Sequence, residues 1–195
     1  MKQVDLLIPD KWEDITVKTY QKYVKLQESK IDEKKKIIKS VALLCNTTQD
    51  IVKKMNYNDL VDIMTILKNL VDAEPDQQNF RKTFDFNGDK YGFIPNLSKL
   101  TTGEYIDLET YSKEPIKNLH NIMSILYRNI TFERNIRYAI EPYDPDQFKE
   151  ELFKECPMDI ALGSLGFFLT LGEKLETISL NYLRSQKTTQ QEEKV

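Results

Sequence analysis

One histidine, His120, and two cysteines, Cys45 and Cys156, are all that this chain carries of the side chains that most often bind transition metals or pair as nucleophile and base. The cysteines lie far apart in sequence and have neither metal-ligand spacing nor a disulfide framework, so both read as buried thiols of a reducing cytoplasm. His120, in "KNLHNIMS", has no serine or cysteine at a triad-like or metal-ligand spacing and reads as an ordinary surface or boundary residue. Six glycines are present, none in a phosphate-cradling loop after a strand. Long apolar runs are also missing. The longest, "IALGSLGFFLTLG", has thirteen residues, against roughly 20 for a bilayer span, and no signal peptide opens the chain. A net charge of -3, with Lys and Arg scattered among Asp and Glu, lacks the one-signed field that nucleic acid or an anionic membrane requires. The expectation is a protein with no catalytic, cofactor-binding or metal-binding residue, no membrane span and no direct nucleic-acid partner.

What is present is the balance of a globular fold, with 40% apolar and 30% charged residues. After the extended start "VDLLIPDKW", Thr16 reads as a helix N-cap followed by the stripe Val17, Tyr20, Tyr23 and Val24. The segment "DEKKKIIKSVALLC" opens with acids and sets Ile37, Ile38, Val41, Leu44 and Cys45 on one helical face. Leu60, Ile63, Met64, Leu67, Leu70 and Val71 make a third stripe after Asn58. These three helices constitute an N-terminal helical lobe, residues 1–79.

In "RKTFDFNGDKYGFIP" apolar and polar residues alternate on both sides of Asn87 and Gly88, the turn dipeptide whose two residues accept positive φ. This predicts a β-hairpin over 80–95. Thr101 and Glu104 form a T-x-x-E capping box that restarts helix. "EPIKNLHNIMSILYRN" follows as a further helix, with Pro115 in its first turn and Leu119, Ile122, Met123 and Leu126 on one face. "NIRYAIEPY" alternates as a strand able to join the hairpin as a third partner, since an isolated hairpin is marginal in water. Gln147 to Lys154 reads as a helix stopped by Pro157, and Met158 opens a long helix that is apolar all round and carries Gly163, Gly166 and Gly172. Each helical glycine costs about 1 kcal/mol against alanine, which points to close approach of another backbone, from this chain or from a partner. The C-terminal helical lobe is thus 96–184, and 185–195 is a flexible tail without apolar periodicity. The predicted class is mainly α with a small β component, α+β.

"DITVKTY" (Asp14 to Tyr20) and "KLTTGEY" (Lys99 to Tyr105) share a layout of aliphatic residue, Thr and later Tyr, each followed at a similar interval by a second apolar helix. A duplicated helical unit accounts for this, and so does the generic grammar of helix starts; two matched elements fall short of a stacked repeat. The acidic group Glu141, Asp144 and Asp146 lacks the calcium-loop pattern and reads as a solvated turn. The tyrosines and phenylalanines fall mainly on stripes and on the hairpin, where core packing explains them better than base stacking.

Taken together, the loosely spaced Pro9 to Tyr20 opening, "FNGDKYGFIPNLSKLTTGEYIDLE", "NLHNIMSILYR" and "EPYD" followed by "PMDIALGSLGFFLTLG" resemble a family of small proteins encoded in the structural gene blocks of tailed bacteriophages. These include crAss-like phages of gut Bacteroidales, and some members are labelled tail assembly chaperones. The likeness covers most of the chain and carries no known chemistry. It implies a non-enzymatic virion structural or assembly protein: a ring or cargo component near the portal and tail, or a chaperone. Its partners would be other virion proteins or a second copy of itself, in the host cytoplasm during assembly or in the particle. The alternative is a small host-directed regulator or inhibitor. Partner binding is expected at the hairpin, with Tyr91, Phe93 and Tyr143 as aromatic anchors beside exposed strand edges, unless "NIRYAIEPY" covers those edges from within. It is expected also along the C-terminal helix at Gly163, Gly166, Phe167 and Phe168.

Overall fold

Thr16, Asp32, Thr48 and Thr101 each stand one residue before a helix and accept a hydrogen bond from a backbone N–H of its first turn, which satisfies donors that have no partner inside the helix. The computed structural model describes residues 6–72, 80–135, 137–144 and 147–170. The expected tail 185–195, Gly172, Ile136 and Asp146 lie outside these residues.

A single 3-10 turn, Trp12–Asp14, leads into α1 (Val17–Glu28), α2 (Glu33–Leu44), α3 (Gln49–Lys54) and α4 (Tyr57–Asp72). The first lobe therefore has four helices where the stripes suggested three. The extra one, α3, is a six-residue piece capped by Thr48. The hairpin forms as expected from β1 (Thr83–Phe86) and β2 (Asp89–Phe93), with Phe86 opposite Asp89. Asn87 and Gly88 both have positive φ, 52° and 89°, the requirement of a type I′ turn. Open space surrounds the position of a Cβ at Gly88. Gly88→Val should therefore cost about 1–2 kcal/mol through backbone conformation alone, and Gly88→Asn much less. Faster amide exchange over Phe84 to Phe93 in the valine variant, and not in the asparagine variant, is the expected result.

The capping box is complete: Thr101 Oγ1 accepts from the Glu104 N–H at 3.2 Å, and Glu104 Oε2 accepts from the Thr101 N–H at 2.6 Å. It opens α5 (Thr102–Tyr111), followed by α6 (Leu119–Leu126). Here the structure departs from the sequence reading. Pro115 lies in a turn before α6, and the chain leaves the helix at Tyr127 to form β3 (Tyr127–Arg134), which pairs antiparallel with β2. The strand within "NIRYAIEPY", β4 (Arg137–Ile140), pairs with β3 and is the fourth strand, not the hairpin's third. Sheet order is β1-β2-β3-β4, all antiparallel, with a register shift between Ile130 and Phe132. The fold is mainly helical with one small antiparallel sheet.

α7 (Gln147–Phe153) and helical residues 158–170, here α8, complete the described chain. Buried residues from Ile15 to Leu165 form one hydrophobic cluster. At its centre stands α6, where Leu119, Ile122, Met123 and Leu126 are fully buried, with Met158 and Ala161 of α8 equally enclosed. The chain's start is fastened to this centre by backbone hydrogen bonds. Val17 N–H donates to Cys156 O at 2.9 Å, Lys18 N–H to Lys154 O at 2.8 Å, and Met158 N–H to Ile15 O at 2.8 Å.

Candidate functional site

Two buried polar clusters are closed within the fold, while Trp12 Nε1, Asn121 Oδ1, Arg128 Nε, Asn129 Oδ1 and Asp159 Oδ1 have no hydrogen-bond partner among the described residues. Glu104 Oε1 accepts from Arg128 at 2.5 Å while its other oxygen holds the Thr101 N–H and hydroxyl, and both side chains of this ion pair are buried. Tyr127 Oη donates to Arg81 O at 2.6 Å and shares a hydrogen bond with Ser164 Oγ at 2.7 Å. Burial raises the Cys45 thiol to about 11 and the Cys156 thiol to about 12, far above a nucleophile's range at neutral pH. Among the described residues, no group of three or more His, Cys, Asp or Glu side chains could hold a metal ion, and no helix is long and apolar enough to cross a membrane.

His120 is half-buried beneath Gln21 of α1. The Gln21 amide nitrogen donates to Ile116 O and Lys117 O at 3.0 and 2.9 Å, which fixes the amide's orientation and presents the same nitrogen to His120 Nδ1 at 3.0 Å. The amide nitrogen has two hydrogens for these three acceptors and cannot itself accept, so the contact suits the tautomer whose Nδ1 is unprotonated, with one N–H shared. Burial, reinforced by Lys154 and opposed by Glu151, lowers the imidazole from 6.5 to about 4. Because the unfolded chain takes up this proton first, stability should fall as pH drops from 6.5 towards 4, by about 2–3 kcal/mol in all. Urea denaturation of His120→Gln across that window should show this component of the slope removed.

The anchors expected on the hairpin are not at the surface. Tyr91 and Phe93 are 2% and 4% exposed. Residues two apart share one face of a strand, and in β2 that face is the inner one. Tyr91 packs against Phe84 and Phe153, and Phe93 against Phe80, Tyr127 and Phe167. The opposite face of Gly92 is covered by Tyr138, whose ring would lie 2.5 Å from an added Cβ and whose hydroxyl donates to Phe93 O at 2.6 Å. Of the hairpin's two strands β2 is paired on both sides, by β1 and β3, so its edge is covered from within, by β3 rather than by "NIRYAIEPY". Tyr143 stands apart from both rings: its hydroxyl donates to Asp107 at 2.6 Å and the Arg128 guanidinium lies 5.9 Å from its ring centre. On α8, Gly163 is buried and Gly166 half-buried. Phe167 is partly exposed and stacks on Phe80 at 4.0 Å, and Phe168 packs on the core. Of the expected set, Phe93 and Phe167 meet ring to ring, at 5.6 Å between centroids.

A further exposed apolar surface lies beside residues that read as core stripe. Between α2 and α4 runs a groove of about 500 Å³ whose walls include Ile37 and Ile38 on one side and Tyr57, Leu60, Val61 and Met64 on the other. Tyr57 is 76% exposed and Val61 41%. The α4 side of the groove continues to Thr65, whose hydroxyl is already bonded to Val61 O, and to Lys68; Lys34 stands on the α2 side, and among the described residues no acidic one lines the groove. Neither lysine is ion-paired among the described residues, unlike Lys36, which holds Glu33 at 3.0 Å. A larger cleft, about 610 Å³, between the 10–13 segment and α4 is polar: Arg81 holds Asp159 at 2.7 Å and Lys11 lies 3.6 Å from Glu13, while Trp12 Nε1 and Asp159 Oδ1 have no hydrogen-bond partner among the described residues. Tyr57 and Val61 escaped the sequence reading because they flank the α4 stripe rather than belong to it. Their signal is an apolar arc wider than one packed neighbour covers.

Comparison of the chain with protein-family models, with curated proteins and with solved structures finds no match.

Proposed function

We propose that this chain is a non-enzymatic bacteriophage virion or assembly protein that acts by binding other proteins of the particle, either as a ring or cargo component near the portal and tail or as a tail assembly chaperone. The observation that carries the binding role is the α2–α4 groove, an apolar trough left open on a chain whose other aromatic residues are mostly packed. Exposed contiguous apolar surface of this kind is the usual mark of a protein interface. The phage setting rests on the motif combination from "LTTGEYIDL" to "PMDIALGSLGFFLTLG". Polar groups engaged in caps, buried pairs and main-chain contacts favour a scaffold over a reaction centre.

Mass spectrometry of purified particles, combined with affinity capture of the tagged chain from infected cells, tests the reading. Stoichiometric presence in particles identifies a structural component. Absence from particles with capture of a virion protein identifies a chaperone. Capture of a host protein and no virion protein overturns the proposal in favour of a host-directed regulator.

A further inference from the structure

We infer that the α2–α4 groove receives helix α5 of a second copy of this chain, in a head-to-tail contact; this rests on the protein-binding reading and names the partner of the same groove. Both walls are α-helices, whose backbone groups are bonded internally, so an extended strand would find no ladder to join and a helix is the shape that fits. The α4 wall from Tyr57 to Lys68 is about 16 Å long by helical rise. A helix of ten residues, the length of α5, spans about 15 Å.

α5 also has a matching face. Thr102, Tyr105, Ile106 and Glu109 recur at helical spacing and all four are exposed, with Tyr105 60% and Ile106 53% accessible. An isolated surface helix leaves such a stripe uncovered at a cost, and adjacent exposed aromatic and aliphatic residues are the anchors that helix-in-groove contacts use. Charge agrees as well. On the exposed face of α5 the charged residue is Glu109, since Glu104 is buried against Arg128 and Asp107 accepts from Tyr143, while the groove presents Lys34 and Lys68 and, among the described residues, no acid. Groove and α5 are different surfaces of one molecule, so the contact is heterologous: a pair keeps one unused α5 on one copy and one unused groove on the other, and the association continues into a ring or a filament.

The test uses the full chain and two variants at exposed positions, Val61→Glu in the groove and Ile106→Glu on α5. Sedimentation at about 100 µM, well above a micromolar Kd, should show the wild type as species larger than a monomer. Each variant alone should be monomeric with an unchanged melting curve. An equimolar mixture should form a dimer and nothing larger, since only one intact groove and one intact α5 remain per pair. Should either variant melt early, the charge exchange decides instead: Lys68→Glu and Glu109→Lys should each weaken association by about tenfold, and the double variant should recover it. A monomeric wild type, a mixture that stays monomeric, or no recovery in the double variant would overturn the contact. A monomer found in purified particles would refute this inference and leave the assembly role standing. A chain that self-associates but is absent from particles and captures no virion protein would refute the assembly role alone.

Discussion

Arg128→Met should destabilise the protein by about 3–5 kcal/mol near neutral pH, because it leaves the Glu104 carboxylate buried without its counter-charge. In the wild type, burial pushes the Glu104 carboxyl up, and the Thr101 hydrogen bonds and the Arg128 guanidinium more than offset this, so the group titrates below the ordinary glutamate value. A depressed carboxyl contributes stability above its unfolded pKa, about 4.3, and loses it as pH falls through the lower folded value. Without Arg128 burial is opposed by Thr101 alone, and the sign reverses if the folded value rises above the unfolded one: the variant then gains as the carboxyl protonates. The difference between variant and wild type should accordingly be largest near pH 7 and smaller near pH 4, measured by urea denaturation at both. Equal losses at the two values would assign the effect to the lost guanidinium contact with the Tyr143 ring. Burying this pair is no efficient route to stability, since Arg128 Nε has no hydrogen-bond partner; its value is that it pins β3 to the first turn of α5.

Phe93→Ala should cost a similar amount, about 3–5 kcal/mol. Its ring meets Phe80, Tyr127 and Phe167 at centroid distances of 5.0, 5.3 and 5.6 Å, each edge-on, so truncation opens a cavity and removes three aromatic contacts of about 0.5–1.5 kcal/mol each. Chemical denaturation would give this value. Val61→Ala, at an exposed groove position, should stay within about 1 kcal/mol. The pair of variants separates core from docking surface: loss of stability belongs to Phe93, and any loss of association without loss of stability belongs to Val61.

Local chemistry was legible in the sequence wherever a few neighbouring residues decide the outcome. Thr101 with Glu104 announces a capping box, and Asn87 with Gly88 announces the hairpin turn, because the bonds and φ angles involved lie within those residues. The mainly helical class follows from stripes such as Ile63, Leu67 and Leu70, all buried. Tyr127 to Arg134 was not legible as a strand. The apolar stripe of α6 runs through Leu126 into Tyr127 without a breaker, and β3 exists because β2, far upstream, pairs with it; strand preference of this kind comes from the tertiary setting. α3 is shorter than any helix that holds in isolation. Tyr91 and Phe93 alternate as a strand's inner face should, yet which face becomes inner depends on Phe153 and Phe167 arriving from elsewhere. The groove was hidden for a related reason: Ile37, Ile38 and Met64 repeat at core spacing, and periodicity alone does not say whether a neighbour covers the whole stripe.

The main-chain bonds from Ile15, Val17 and Lys18 to residues 154–158 set the order of events during synthesis. On the ribosome, the residues around the start of α1 emerge well before their hydrogen-bonding partners, which follow only after nearly all of the described chain. Contacts so distant in sequence close late. A chain halted before Lys154 lacks the acceptors of Val17 and Lys18 and should be a ready substrate for proteases, whatever the stability of the finished fold.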